Sequence, residues 1–221
     1  MIIERNDDLR IDIATISDEY KAFASEAQDF LAVRNVYHAA IKEISTKLEI
    51  LDDEFQVNHD YNPIHHMESR VKSVKSILEK IMRRGLDGEE KAFMKISDIA
   101  GIRVICKYAE DIYRIRGMLL SQDDIKFLSE ADYIKNPKES GYRSLHLLVT
   151  VPVFLSDRVE HVPVEIQIRT VVMDTWASLE HELRYKRQGT PISEEASKKL
   201  RRCAEQMQAI DDMMSDIHRE L

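Results

Sequence analysis

A chain of 221 residues with 43% hydrophobic and 33% charged content can bury one sizeable core, and no apolar run approaches the roughly 20 residues that cross a bilayer. The N-terminus, MIIERNDDLR, lacks the basic start and apolar core of a signal peptide, so a cytoplasmic protein is expected. The net charge of -8 argues against general affinity for nucleic-acid phosphates, and Cys106 and Cys203, without metal-type spacing, both read as core thiols.

Apolar residues at Tyr20, Phe23, Ala27, Phe30, Tyr37, Ile41, Ile44, Leu48 and Leu51 recur three and four apart and predict a long first helix. A second helix is predicted from about Pro63 to Arg84, ending near Gly85. Within it, residues 69–84 hold six basic side chains against the single acidic Glu79, a local charge of +5. Val71, Val74, Ile77 or Leu78, and Ile81 make its apolar stripe, with Lys72, Lys75, Ser76, Glu79 and Arg83 on the opposing face. That face is either ordinary solvated surface or a cradle in which cations on a rigid helix neutralise linked phosphates.

The motif DGEE at 87–90 reads as a capping box opening a short helix. Strands are predicted at IAGIRVICKY, around IKFLSEADYI, at SLHLLVTVPVF and at HVPVEIQIRT, with a helix from Asp111 to Leu120 and another through WASLEHELRYK. Behind an N-cap at Ser193 and acidic Glu194 and Glu195, a last helix carries Leu200, Cys203, Met207, Ile210, Met214, Ile217 and Leu221. The expected fold is α+β: a mixed sheet of four or five strands covered by helices, with long terminal helices. It divides into a helical region 1–58, a central domain 59–190 and a C-terminal helix 191–221. The near-heptad seams of the terminal helices predict a homo-oligomer.

Three stretches carry candidate chemistry. In HVPVEIQIRT, alternation puts Val162, Val164, Ile166 and Ile168 on one face and Glu165, Gln167 and Arg169 on the other, which is either wet or functional. In SDIAGIRVICKY, Asp98 is a boundary cap or, with Glu165, half of a Mg2+ site, since Mg2+ is held by one or two carboxylates plus phosphate oxygens and water. Gly101 permits close backbone approach there, and Arg103 is a cation in an apolar run. In NPKESGYRSLHLL, a turn at Pro137 and Gly141 precedes Tyr142, Arg143 and His146, and the Tyr142 ring either covers a core edge or stacks on a nucleobase.

The ordered blocks SRVKS, SILEK, RR, DIAGIRVIC, KESGYRSLH, VEIQIRT and WASLEHELRYK resemble the synthetase domain of the RelA/SpoT homologue family over about residues 60–187. At this length the chain resembles a stand-alone small alarmone synthetase, and the resemblance is RelP/RelQ-like, closer to RelP. The resemblance implies a nucleotidyltransferase-like fold and transfer of pyrophosphate from ATP to the 3'-OH of GDP or GTP, releasing AMP. It implies ATP contacts at Arg70, Lys72, Ser76, Lys80, Arg83 and Arg103, with Lys75 left as solvated charge. It further implies acceptor contacts at Lys138, Tyr142, His146, Gln167, Arg169 and Asp174. Asp98 and Glu165 are implied as the catalytic, Mg2+-holding pair, and a homotetramer without a membrane or stable nucleic-acid partner as the assembly.

Departures from the pattern carry expectations too. His59 and Asp60 are followed by YNPI, not by the remainder of an HDxxED metal motif, so no hydrolase activity is expected. At this length no ribosome-sensing regulatory domain is expected. HHMES does not match the aromatic and threonine segment of relatives that bind an allosteric nucleotide, and Asp174 stands where some relatives have Asn. Trp176 and His181 are read as packing residues. Competing readings are transfer to adenine nucleotides, transfer to the tRNA 3' end, the latter disfavoured by the lack of an extended basic surface in an acidic chain, and a catalytically silent binding module.

Overall fold

The computed structural model describes residues 18–72, 80, 82–85, 99–185 and 193–220, with side chains from residue 32 onward except 184 and 185. The chain forms two compact units, Met1–Val36 and Tyr37–Leu221. Helix α1 spans Asp18–Asn58; strands β1 and β2 span Ile64–Val71 and Ala100–Cys106. Helix α2 spans Ala109–Leu120, and β3, β4 and β5 span Lys126–Asp132, Leu145–Phe154 and Val159–Thr170. Helix α3 (Val171–Tyr185) follows β5 directly, and α4 (Glu194–Glu220) comes last. No described helix is long and apolar enough to cross a membrane.

The five strands form one mixed sheet in the order β1-β2-β5-β4-β3, with β2 and β5 parallel and the other neighbours antiparallel. Strand β5 alternates as the sequence predicts, and β4 beside it does the same. Val162, Val164, Ile166 and Ile168 are buried, together with Ile102 and Val104 of β2 and Leu145, Leu147, Val149 and Val151 of β4. Each such side chain contributes roughly 1.5–3 kcal/mol of burial. Helix α2 packs on β2 and β5 through Ile112, Ile115 and Leu119. In the second unit, Tyr37, Ile41, Ile44, Leu48 and Phe55 of α1 are buried as its periodicity predicts, and burial pushes the Tyr37 phenol up to about 12, Glu160 adding to the effect.

The predicted helix from Pro63 is overturned over its first part. Residues 64–71 are a strand, paired antiparallel with β2 from Ile64↔Cys106 to Val71↔Ala100. A register shift between Ile64 and His66 breaks the period-two signal, which hid the strand from sequence. The unpaired edge of β2 then decides the matter, because tertiary pairing overrides a weak local pattern. The predicted end of the helix holds: Lys80, Met82 and Arg83 are helical, and Gly85 closes the turn at φ +63°. The DGEE capping box, Asp98 and Ser76 lie outside the described residues.

Helix α4 starts as predicted, with Ser193 Oγ accepting from the Ala196 amide at 3.2 Å. Its buried face, however, is Ala204, Asp211 and Ser215, while Ile210, Met213, Met214 and Ile217 are exposed. The helix therefore packs on α2 and α3 by its small and polar face and leaves its apolar stripe open within the protomer. Cys203 is exposed on this helix, correcting its reading as a core thiol; Cys106 is buried as expected.

Candidate active site

Strand register assembles the polar face of the sheet. Arg70, Gly101, Glu165 and Leu148 pair successively across β1, β2, β5 and β4, and Glu68, Arg103, Gln167 and His146 form the adjacent row. Residues in register share a face, so side chains separated by up to 100 positions in sequence meet on one surface. Arg70, Lys72, Arg103, Glu165 and Gln167 line a cleft of about 310 Å3 on this surface. A Cβ on Gly101 would lie 3.9 Å from the Arg70 carbonyl oxygen and 4.0 Å from that of Glu165, ordinary contacts. Gly101 therefore answers no steric demand of the backbone; it keeps the cleft floor open between Arg70 and Glu165.

Beside the cleft runs a continuous hydrogen-bonded chain. The Tyr142 hydroxyl lies 2.8 Å from His146 Nε2, and His146 Nδ1 lies 3.0 Å from Glu165 Oε1. Gln167 Nε2 donates to Glu165 Oε2 at 3.2 Å, and Arg169 Nη2 donates to Gln167 Oε1 at 2.8 Å. An ionised carboxylate only accepts, which assigns the proton of a neutral His146 to Nδ1 and makes Nε2 the acceptor of the Tyr142 hydroxyl. Burial raises the Tyr142 phenol against the opposing pull of Arg169, so it stays neutral and able to donate.

Arg169 is 3% exposed. Burial lowers its pKa, with Tyr142 and Asp174 opposing and Arg103 assisting. Asp174 Oδ1 lies 3.4 Å from Arg169 Nη1 and 3.6 Å from Arg103 Nη1, so one carboxylate bridges two guanidinium groups. The buried Nε atoms of Arg103 and Arg169 have no hydrogen-bond partner among the described residues. Lys138 Nζ stands 4.8 Å from the Tyr142 ring centroid and Arg169 Cζ 5.8 Å, while Tyr133 and His146 meet that ring edge-on. The ring is half-buried among cations and aromatics, not free in solvent.

The predicted residues thus divide. Those on β1, β2, β4 and β5 converge, with Lys138 and Asp174 joining from the β3–β4 loop and α3. Lys80 is half-buried and Arg83 exposed on the turn before Gly85. Two cleft residues escaped the sequence reading. Glu68, two positions before Arg70 on the same strand face, takes a 2.9 Å hydrogen bond from Arg103; reading residues 64–71 as helix concealed it. His181 is exposed and lines the cleft, correcting its reading as a packing residue, whereas Trp176 is buried and donates to the Leu200 carbonyl at 3.3 Å.

The loop bearing Tyr142 is pinned by Gly141. At φ +91° this residue adopts a conformation that side chains rarely take, and a Cβ there would fall 2.5 Å from Ala204 Cβ on α4. Gly141→Ala is expected to cost about 1–3 kcal/mol of stability. Ala204→Gly in the same chain should recover part of that loss, because the methyl collision goes and the backbone strain stays. Thermal denaturation of the single and double variants checks this, and a Gly141→Ala chain as stable as the parent would refute it.

Residues 69–190, more than half of the chain, match the family described as the region found in RelA / SpoT proteins. GTP pyrophosphokinase YwaC of Bacillus subtilis is 42% identical over 187 residues, covering 84% of this chain and 89% of that protein. GTP pyrophosphokinase YjbM of the same organism is 40% identical over 185 residues, covering 84% and 86%. Among solved structures, the small alarmone synthetase 1 of Bacillus subtilis bound to its product pppGpp superposes with a TM-score of 0.81 at 38% identity, covering 89% of this chain and 98% of that one. The small alarmone synthetase 2 of that organism gives 0.80 at 40%, covering 87% and 100%. Identity of this order along most of both chains, on the same mixed sheet and helical cover, makes the chain a member of the RelA/SpoT family, in the company of its small alarmone synthetases.

Proposed function

We propose that this protein transfers the pyrophosphate of ATP to the 3'-OH of GDP or GTP in the cytoplasm, releasing AMP and producing ppGpp or pppGpp. The observation that carries the reading is the convergence on one sheet face of a cation-lined cleft and the Tyr142–His146–Glu165–Gln167–Arg169 chain. Relatives named GTP pyrophosphokinases and a neighbour bound to pppGpp support the substrates.

Arg70 and Arg103 present guanidinium groups to the adenine of ATP; Lys72, Lys80 and Arg83 neutralise its phosphates, and the Ser76 hydroxyl donates a hydrogen bond to them. Tyr142 stacks on the guanine, with Lys138, His146, Gln167, Arg169 and Asp174 around the acceptor. Transfer of this kind is mostly positioning and charge neutralisation. Glu165 borders both groups, where a carboxylate can take the proton of the ribose hydroxyl. Its link to His146 and through it to Tyr142 fixes the carboxylate in orientation.

Mg2+ would be held by Glu165 and Asp98. Two carboxylates are a sparse donor set of the kind that suits Mg2+, which completes its shell with phosphate oxygens and water. The ion would supply charge neutralisation at the phosphates. Incubating the protein with ATP, Mg2+ and each of GDP, GTP, an adenine nucleotide and tRNA, then resolving products chromatographically, tests the reading. AMP with a guanosine 3'-pyrophosphate is expected, and turnover of the other acceptors alone would overturn it.

The open stripe of Ile210, Met213, Met214 and Ile217 supports the further reading of a homo-oligomer, proposed as a tetramer. Light scattering at micromolar concentration is expected to give a multiple of 25.7 kDa, and a monomer would refute it.

A further inference from the structure

Helix α4 reaches the acceptor side at two places. Ala204 presses against Gly141, the neighbour of Tyr142, and Asp211, two turns further on, accepts a hydrogen bond from Thr170 Oγ1 at 2.7 Å. Both partners of that bond are buried, Asp211 at 2% exposure and Thr170 at 0%. Thr170 Oγ1 in turn accepts from the Met173 amide at 3.1 Å, so Thr170 is the N-cap of α3.

The position of this cap gives the bond its consequence. Thr170 follows Arg169 directly, and the first turn of α3 carries Asp174, the carboxylate 3.4 Å from Arg169. A threonine hydroxyl rotates, and committing its proton to an acceptor on the far side keeps a lone pair aimed at the helix amide. Asp211 commits it. A buried carboxylate is an expensive way to fill space, since an apolar side chain would pack on α3 without loss of hydration. Burial raises the carboxyl's pKa, and the Thr170 bond acts against that rise.

We infer that Asp211 is a positioning residue for the acceptor nucleotide: by orienting Thr170 it fixes the β5–α3 junction, and with it the Arg169–Asp174 pair. The inference rests on the proposed assignment of that pair to the acceptor. The ATP side is expected to be less affected, because Arg70 and Lys72 lie at and beyond the far end of β1, and Arg103 is held also by Glu68.

Steady-state KM values for ATP and for GDP, measured separately on the full chain, test it. Asp211→Ala and Thr170→Val are each expected to raise the KM for GDP about tenfold, the loss when a buried bond is left half-made, with the KM for ATP unchanged. Asp211→Asn keeps an acceptor oxygen and should stay near the parent. The double variant should cost no more than Thr170→Val alone, because that substitution already removes the Asp211 bond together with the Met173 cap. Equal rises in both KM values, additive losses, or an Asp211→Ala chain identical to the parent would overturn the inference. So would unfolding of both Asp211→Ala and Thr170→Val by circular dichroism, which would make the bond structural only. A parent protein that turns over no guanine nucleotide would instead bring down the proposed reaction and this inference with it, a failure visible before any variant is made.

Discussion

Glu165→Gln is expected to lower the transfer rate about 1000-fold, the scale on which positioned proton transfer and charge stabilisation act. The substitution keeps the shape of the side chain and removes its charge. It also places an amide where His146 Nδ1 now meets a carboxylate oxygen at 3.0 Å, which disturbs the tautomer that lets Nε2 receive the Tyr142 hydroxyl. Binding of ATP should survive largely intact, because Arg70, Lys72 and Arg103 line the cleft independently of that charge. Rates by chromatography and ATP affinity by calorimetry read the two effects apart. Normal turnover would remove Glu165 from its role. Loss of ATP affinity in proportion to rate would make it a binding residue only.

Tyr142→Ala should weaken the guanine nucleotide by roughly 10- to 100-fold, since stacking of a base on an aromatic ring is worth about 1–3 kcal/mol. Lys138 and Arg169 flank the ring, so its removal also leaves two cations without the aromatic surface they share. Tyr142→Phe separates the contributions: it keeps the ring and loses only the bond to His146, and its acceptor affinity should remain close to the parent's. Calorimetric titration of each variant with GDP and with a non-hydrolysable ATP analogue provides the measurement. An equal loss of both affinities in Tyr142→Ala would contradict the stacking assignment.

The elements best legible in sequence were those whose pattern the core enforces. The period-two alternation of residues 162–168 and the three-four spacing of Tyr37, Ile41, Ile44 and Leu48 both reappear as buried faces. A one-residue slip would put each aliphatic set in water, so the pattern leaves little freedom. The same alternation put Glu165, Gln167 and Arg169 on a shared face, and the ordered motifs pointed to their partners on other strands. Local chemistry was legible where it is local: Ser193 caps α4, and Gly85 ends the turn it was expected to end.

Sequence did not show that residues 64–71 pair with β2, because a bulge near Ile64 masks the alternation and the edge that recruits them lies some 35 residues away. Glu68 stayed hidden for that reason. Nor did sequence show which face of α4 is buried. Its apolar stripe invited burial, yet the protomer takes the face with Ala204 and Asp211, because only a small residue fits beneath Gly141 and only an acceptor answers Thr170. Strand periodicity determines which side chains share a face, since it follows from the geometry of one chain segment. Which faces meet is decided by long-range pairing and packing, whose energies depend on neighbours that no single segment contains.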